Sequence, residues 1–270
     1  MRGMYTAGVI DVMMENNISF DGAIGVSAGA VFGCNLKSEQ HGRVIRYNTR
    51  FSKEWRFCSF RSLLLTGDLY GVDFCYRRVP FELDVFDTDT FEKNPMDFYV
   101  TCSDLKTGKP VYHQCRKGKG EDMDWFRASA SMPIVSRPVV IGEQMLLDGG
   151  ISDSIPLRHL EGLGYNRNVV VLTQPYDYVK KKNKLLPLMK IVLRKYPKII
   201  EAVAKRHILY NETLEYIKEK EKAGEIFVIR PSSPLNISSM ERKPQELMRV
   251  YNEGRRVMQE EMQGLKDFLS

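Results

Sequence analysis

Ser27 lies between two glycines in the stretch GAIGVSAGAVFG (residues 22–33), directly after a short apolar run. The pattern GVSAG (Gly25–Gly29) has the spacing Gly-x-Ser-x-Gly, in which a serine occupies a sharp strand-to-helix turn with its hydroxyl exposed as a nucleophile. The small neighbours let strand and helix pack closely, and the N–H groups that begin the helix point to where an oxyanion would form. Such a pattern occurs by chance in about one chain in ten of this length. The strand-like and helix-like flanks make the nucleophile the better interpretation.

A nucleophilic serine needs a base, and the sequence offers two candidates. Asp148 ends an apolar run and precedes Gly149 and Gly150, so a flexible backbone would follow a carboxylate at a strand tip. Asp-Gly is also a common turn pair, and the residues alone leave both interpretations of Asp148 open. The order Ser27, Asp148, His159 would formally fit the Ser-His-Asp triad of an α/β-hydrolase esterase. We interpret His159 instead as a surface or capping residue, because its neighbours predict a helix that leads away from the site.

Ser27 in GVSAG and Asp148 in DGG, in this order and without an obligatory histidine, resemble the patatin-like phospholipase family of bacterial-type serine acyl hydrolases. The resemblance extends to RGMYTAGVIDVM, SFRSLLLTGDLYGVDF, RASASMPIVSRPVVIGEQMLLDGGISDSIPL and VVVLTQP, which cover most of residues 2–175. It implies a three-layer α/β/α sandwich and a Ser-Asp dyad that hydrolyses acyl esters of lipids through an acyl-enzyme. Ser27 would then be the nucleophile and Asp148 the base, with no metal and no cofactor.

The resemblance also assigns the backbone N–H groups of Arg2 and Gly3, helped by Ala28, to the oxyanion site. Family members open with a strand and a run of glycines before an Arg/Lys-Gly pair, whereas this sequence opens at Met1-Arg2-Gly3. The sequence therefore predicts either a start at an internal Met of a longer protein, which we favour, or a damaged site. Because losing one oxyanion donor costs about a hundredfold to a thousandfold in rate, we expect a weak or inactive enzyme. The alternative from another class is a lipid-binding or regulatory protein on the same fold.

Alternating strand and helix patterns predict an α/β sandwich with a mostly parallel central sheet. The predicted elements are a buried helix over 4–16, a strand over 23–26, a helix over 28–36, a strand pair over 98–104 and 110–115, a hairpin turning at Gly142-Glu143, buried strands over 168–175 and 225–231, and an amphipathic helix from Leu247 to Leu269. We assign residues 1–175 to the catalytic core. Residues 176–270 form a helical C-terminal region that adds the strand 225–231 to the same domain. The aromatic and charged region 52–95 is a candidate cover for the site.

The composition, 43% hydrophobic and 27% charged, is that of an ordinary soluble globular protein. No apolar segment precedes a cleavage site, and no uncharged stretch is long enough to cross a bilayer. The five cysteines and four histidines are dispersed (Cys34, Cys58, Cys75, Cys102 and Cys115; His41, His113, His159 and His207). This spacing predicts reduced thiols, a cytoplasmic location and no metal site.

The positive charge is concentrated in residues 178–207, called the basic segment below, which holds ten Lys and Arg residues and a single acid, Glu201. Its net charge is +9 in a chain of net charge +6. One interpretation is a peripheral contact with the anionic inner membrane surface through Lys190, Arg194, Lys195 and Lys198. The other is an ordinary amphipathic helix, broken near Pro197, with a solvated basic face. Nucleic acid ranks last because no recognition motif accompanies the charge.

Overall fold

Seven strands form two sheets in the computed structural model, which describes all 270 residues. The strands are β1 (Gly22–Val26), β2 (Asp97–Asp104), β3 (Pro110–Cys115), β4 (Val139–Ile141), β5 (Gln144–Asp148), β6 (Asn168–Val171) and β7 (Ile226–Ile229). Strands β1 to β5 form one sheet, and β6 and β7 pair in parallel as a separate sheet. Every predicted strand is present.

Ten α-helices surround the sheets. They are α1 (Gly3–Glu15), α2 (Ala28–Lys37), α3 (Arg43–Arg50), α4 (Phe60–Thr66), α5 (Thr88–Lys93), α6 (Glu121–Ser129), α7 (Leu157–Gly162), α8 (Leu186–Val192), α9 (Pro197–Lys222) and α10 (Pro244–Leu269). A π-helical segment, Phe74–Leu83, precedes α5, and a 3₁₀ turn, Gly149–Ile151, follows β5. The predicted helices at both ends of the chain are confirmed, as is the break at Pro197, where α9 begins.

Helices cover both faces of the five-stranded sheet, which confirms the three-layer α/β/α class. Successive side chains of a strand point to opposite faces. Leu146 accordingly belongs to the core that contains Phe126 of α6, whereas Leu147 belongs to the core that contains Met189 of α8 and Ile199 of α9. Each face of β5 is therefore buried under a different helical layer.

The expectation of a mostly parallel sheet is wrong, because the five-stranded sheet is mixed. Only β1 pairs in parallel with β2, while β3 and β5 pair with β2 antiparallel and β4 pairs with β5 antiparallel. Short turns account for the β2–β3 and β4–β5 pairs, because a short turn joins only antiparallel neighbours. The β4–β5 turn is the predicted Gly142-Glu143 pair, and Gly142 has φ +55°, as a tight hairpin turn requires.

The C-terminal helix is packed into the main core. Leu247, Val250 and Met258 of α10 share one buried cluster with Met4 and Val9 of α1.

Two glycines allow the axes of α1 and α10 to approach. A Cβ on Gly8 would overlap the carbonyl oxygen of Tyr251, and a Cβ on Gly254 would overlap that of Tyr5. Helix α1 is thereby held with its first residues against the start of α2, next to Ser27.

Strands β1 and β5 meet end to end along one edge of β2. In the register, Val26 of β1 lies opposite Thr101, and Asp148 of β5 lies opposite the next residue, Cys102. Strand β3 occupies the other edge of β2 over the same residues. Because β1 and β5 run in opposite directions, their carboxyl ends converge, and the residues that follow or end them share one place.

Candidate active site

Ser27 occupies a strained turn between β1 and α2. Its backbone has φ +55° and ψ −121°, which non-glycine residues rarely adopt. Such strain persists only where the surrounding structure fixes it, and it concentrates at functional sites. The geometry is the sharp strand-to-helix turn that the GVSAG pattern predicts.

The two glycines of the pattern have different roles. A Cβ on Gly25 would overlap the carbonyl oxygen of Gly29 and lie 2.5 Å from the Cα of Ala30, so only glycine lets β1 and α2 cross so closely. A Cβ on Gly29 would meet nothing within 4 Å. Close packing therefore explains why residue 25 is a glycine, but it does not explain the glycine at residue 29.

Ser129, at the end of α6, fixes the turn from behind. The backbone N–H of Ser27 donates to Ser129 Oγ at 2.9 Å, and Ser129 Oγ donates to the carbonyl oxygen of Thr101 at 2.7 Å. Ser129 is fully buried. The stretch RASAS, which contains Ser129, belongs to the family resemblance but gives this serine no role of its own. The signal was weak, because a buried serine that binds backbone looks like any helix-end serine.

The Ser27 hydroxyl contacts Asp148 directly. Ser27 Oγ donates to Asp148 Oδ2 at 2.6 Å, and the other carboxylate oxygen, Oδ1, accepts the N–H of Gly150 at 2.8 Å. Asp148 is 5% exposed. Burial raises the pKa of its carboxyl, and the hydrogen bonds from Ser27 and Gly150 and the nearby Arg206 partly oppose that rise. A raised pKa makes Asp148 a stronger proton acceptor than a solvated aspartate.

The glycines after Asp148 are tightly packed, so the expectation of a flexible backbone there is wrong. Both lie in the buried 3₁₀ turn. A Cβ on Gly149 would overlap the carbonyl oxygen of Thr101. A Cβ on Gly150 would lie 2.9 Å from Arg206 Nη2 and 3.0 Å from Asp148 Oδ1. The glycines let the backbone approach the carboxylate and orient it.

The three residues predicted for the oxyanion site lie together. Arg2, Gly3 and Ala28 all line the cavity that holds Ser27 and Asp148. A Cβ on Gly3 would lie 2.7 Å from the Cβ of Ala28, so the first turns of α1 and α2 touch. The first N–H groups of a helix have no intrahelical acceptor. The arrangement supplies free donors at this point, and their oxyanion role stays a prediction.

None of the four histidines lines this cavity. His159 lies on α7, as predicted, and its ring stacks on Tyr112 with centroids 3.6 Å apart and planes 7° apart. Since Ser27 donates straight to Asp148, no imidazole stands between them. The Ser-His-Asp alternative therefore has no support in the geometry.

The cavity has a volume of about 1350 Å³ and a mainly apolar lining. It extends between β1 and β6, and both strands contribute to its wall. Region 52–95 contributes several lining residues, among them Tyr70, Cys75, Tyr76 and Val79, and its role as a cover stays a prediction. A second strained residue, Ile134 with φ +75°, also lines it. The lining offers room and apolar contact for an acyl chain.

One group of metal-ligating side chains lies outside the cavity. The ligand atoms of His113, Cys115 and Asp122 are within 4.8 Å of one another. Asp122 already accepts hydrogen bonds from the N–H groups of Lys117 and Gly118, and burial raises the pKa of the Cys115 thiol. A neutral thiol and an occupied carboxylate suit a structural role. The expectation of no metal stays a prediction.

Two sequence models match the chain. The one described as "Patatin-like phospholipase" matches residues 1–160, and "Domain of unknown function (DUF6363)" matches residues 196–270. Lysophospholipase nte1 of Aspergillus oryzae is 27% identical over 168 residues, which are 60% of this chain and 10% of that protein. The protein YjjU of Escherichia coli, described as uncharacterized, is 27% identical over 273 residues, 94% of this chain and 72% of YjjU.

This chain thus spans about a tenth of the lysophospholipase that it matches. The similarity to YjjU includes the C-terminal region as well as the core. The first model covers more than half of the chain, including both Ser27 and Asp148. The chain belongs to the patatin-like phospholipase family.

Proposed function

We propose that this chain is a serine acyl hydrolase that cleaves carboxylic esters of lipids with Ser27 and Asp148 as its dyad. The 2.6 Å hydrogen bond from Ser27 Oγ to buried Asp148 Oδ2 carries the proposal. A serine in strained backbone, aimed at a carboxylate of raised pKa, matches the requirements of an activated nucleophile. Family membership and the lysophospholipase relatives support lipid esters as the substrate class.

In the acylation half-reaction, Asp148 Oδ2 accepts the hydroxyl proton as Ser27 Oγ bonds to the ester carbonyl carbon. The carbonyl oxygen becomes an oxyanion, which free N–H groups at the first turns of α1 and α2 would stabilise. The tetrahedral intermediate then expels the alkoxide, which takes the proton from Asp148. The products are an alcohol and an acyl group esterified to Ser27.

Deacylation repeats these steps with water as the nucleophile. Asp148 takes a proton from water, the resulting hydroxide attacks the acyl carbon, and Ser27 Oγ leaves and recovers the proton. The Ser129 and Gly150 contacts hold both members of the dyad in place throughout, so neither has to reorganise between the two halves.

We further propose that α8 brings the enzyme to an anionic membrane surface. On this short helix Leu188 and Ile191 are exposed, at 44% and 69%, as is Lys190, and the exposed Arg194 follows the end of the helix. Helix α8 buries Leu186 and Met189, as a packed amphipathic helix does, but leaves Leu188 and Ile191 in solvent. Exposed apolar residues among cations suit insertion at a lipid interface.

Other observations bear on the location of the protein. None of the helices combines the length and apolarity needed to span a bilayer. All five cysteines are free thiols. The cytoplasmic location stays a prediction.

A fluorophosphonate probe tests the dyad. Intact mass should show one adduct on the wild-type chain and none on Ser27→Ala or Asp148→Asn, while His159→Ala should label like the wild type. The same set is then assayed for fatty acid release from a lysophospholipid. Labelling that survives in Asp148→Asn, or disappears in His159→Ala, would contradict the dyad. A chain without any adduct would favour the lipid-binding alternative.

A further inference from the structure

Five cationic side chains line the cavity that holds the dyad. Arg43 pairs with Asp84 and Arg167 donates to the carbonyl oxygen of Leu269, which leaves three, from separate parts of the chain. Arg2 precedes α1, Lys180 follows β6, and Arg206 lies on α9. None of them lies within 4.0 Å of a carboxylate oxygen. Other cations of the basic segment differ, since Lys198 and Lys205 pair with Glu201.

Arg206 lies next to the catalytic carboxylate without pairing to it. Its Nη2 is 2.9 Å from the position that a Cβ on Gly150 would take, and its Nε is 3.5 Å from Ser154 Oγ. Gly150 is the residue whose N–H binds Asp148. The guanidinium thus faces the site with most of its five donors free.

Two hydrogen bonds with the side chain of Asn211 fix the backbone of Lys180. Its N–H donates to Asn211 Oδ1 at 2.8 Å, and Asn211 Nδ2 donates to its carbonyl oxygen at 3.1 Å. The ammonium lies 4.5 Å from the ring centroid of Tyr210, one helical turn after Arg206 on α9. Burial, followed by the charges of Arg206 and Arg2, lowers the pKa of Lys180 to about 8.

Asp148 is the carboxylate beside Arg206, and three cations outnumber it. The cavity wall therefore keeps a positive potential, which an anion would relieve. A tetrahedral phosphate offers oxygens to several cations at once, and guanidinium groups bind it through paired N–H donors. In a glycerophospholipid the phosphate and the acyl esters are attached to neighbouring carbons. A phosphate bound beside Asp148 would therefore bring an ester close to Ser27.

We propose that Arg2, Lys180 and Arg206 form a subsite for the phosphate of an acyl lipid whose headgroup carries no compensating cation. The inference rests on the proposed lipid hydrolase function and specifies its substrate class. A zwitterionic headgroup would bring a choline or ethanolamine cation to a site where three cations already outnumber one carboxylate, Asp148. Lipids with a net negative headgroup are then preferred.

Calorimetric titration of the Ser27→Ala protein tests the subsite without turnover. The ligands are dihexanoyl phosphatidic acid and dihexanoyl phosphatidylcholine, both at monomeric concentrations, so that a membrane surface plays no part. We expect the anionic lipid to bind at least about tenfold more tightly, which is the effect of one good charge-assisted contact. Equal binding of the two lipids, or binding of neither, would overturn the proposal.

Charge variants in the Ser27→Ala background locate the effect. Lys180→Gln should remove most of the preference and Lys180→Arg should restore it, while Lys182→Gln, at an exposed position of the same segment, should leave it intact. Removing a cation whose charged form is disfavoured by burial should not unfold the chain. An equal loss in Lys180→Gln and Lys182→Gln would reduce the effect to net charge and contradict a subsite.

Two further experiments distinguish a failure of the phosphate subsite from a failure of the hydrolase proposal. Inorganic phosphate that binds as tightly as the anionic lipid would show a phosphate site without lipid recognition, against the proposal. Fluorophosphonate labelling and hydrolysis of an uncharged p-nitrophenyl ester report on Ser27 alone. Normal labelling without an anionic preference would refute the subsite and keep the hydrolase, whereas a preference without labelling would refute the hydrolase and keep the subsite.

Discussion

The elbow at Gly25–Gly29 and the exposed part of the basic segment place their functional groups in opposite ways. At the elbow, the hydroxyl of Ser27 is fixed by a strained backbone, by Ser129 behind it and by Asp148 in front of it. In the basic segment, the side chains of Lys190 on α8 and of Lys195 between α8 and α9 are exposed and have no ion-pair partner. The function proposed for the elbow depends on one precise geometry, whereas the function proposed for the basic segment depends on its total charge.

This difference predicts how each region responds to substitution. A proton transfer requires donor and acceptor within hydrogen-bond reach, so the loss of either group removes the step. Attraction to an anionic surface adds up over many charges, each worth about 1 kcal/mol. Substitutions should therefore have all-or-none effects at the elbow and graded, additive effects on the basic segment.

The largest effect is expected from Asp148→Asn. The amide keeps the size of the side chain and cannot accept the Ser27 proton, so kcat/KM should fall by about 10⁴-fold or more, as for the loss of other catalytic-unit members. Because burial raises the pKa of Asp148, its ionised form costs folding free energy at neutral pH, and the variant should be no less stable. Ester hydrolysis and thermal unfolding measure the two effects.

Asp153→Asn is the matched control for that variant. Asp153 lies five residues further along the chain, accepts the Tyr112 hydroxyl at 2.7 Å and is outside the cavity lining. Its substitution should leave kcat/KM within a few-fold of the wild type. Comparable losses in both variants would mean that Asp148 acts through the fold of its loop and not as the base.

Gly25→Ala should disturb the elbow without removing a reacting group. The new methyl overlaps the Gly29 carbonyl oxygen, so strand and helix must separate, at a cost of about 1–3 kcal/mol in stability. A displacement of about 1 Å at Ser27 would lower kcat/KM about a hundredfold. Gly29→Ala enters open space within α2 and should keep or raise the melting temperature. Equal destabilisation by both variants would refute the packing explanation of the elbow.

Local patterns in the sequence predicted much of the fold. The helix α1, the strands β1 to β3 and the hairpin of β4 and β5 lie within a few residues of their predicted bounds. The helices α3 to α5 and the π-helical segment 74–83 were not predicted, since each is shorter than the window in which a helical period can be recognised. The mixed sheet was missed because strand direction depends on how distant segments pair, which local pattern does not encode.

In the candidate site, too, local patterns predicted some residues and missed those that tertiary packing brings in. Ser27 and Asp148 were named from their flanking glycines and from the resemblance, and the structure brings them into contact. Ser129 and Arg206 were missed as site residues because each reaches the dyad only through tertiary packing, from α6 and α9. The sequence shows which side chains stand in patterns typical of a site, whereas the strand register along β2 determines which of them come into contact.

The pH dependence of kcat/KM should show the raised pKa of the base. Ionised Asp148 is the active form, so activity should fall about tenfold per pH unit below its pKa, with the midpoint above the ordinary aspartate value of 3.8. An uncharged ester avoids titration of the substrate. Arg206→Gln removes a positive charge that lowers this pKa, so the acid limb should move to higher pH. An acid limb that stays in place in this variant would show that Arg206 does not act on Asp148.

The smallest single effects are expected on the basic segment, where they should accumulate. Lys190→Gln, Arg194→Gln and Lys195→Gln should each weaken binding to anionic vesicles about fivefold, equivalent to about 1 kcal/mol, and the triple variant about a hundredfold. Lys266→Gln, at an exposed position of α10, is the control. Added salt should weaken the electrostatic part of vesicle binding. Ile191→Gln should remove a hydrophobic part of the binding, which does not depend on salt. Vesicle binding equal to that of the wild type in the triple variant would identify residues 190–195 as an ordinary solvated face.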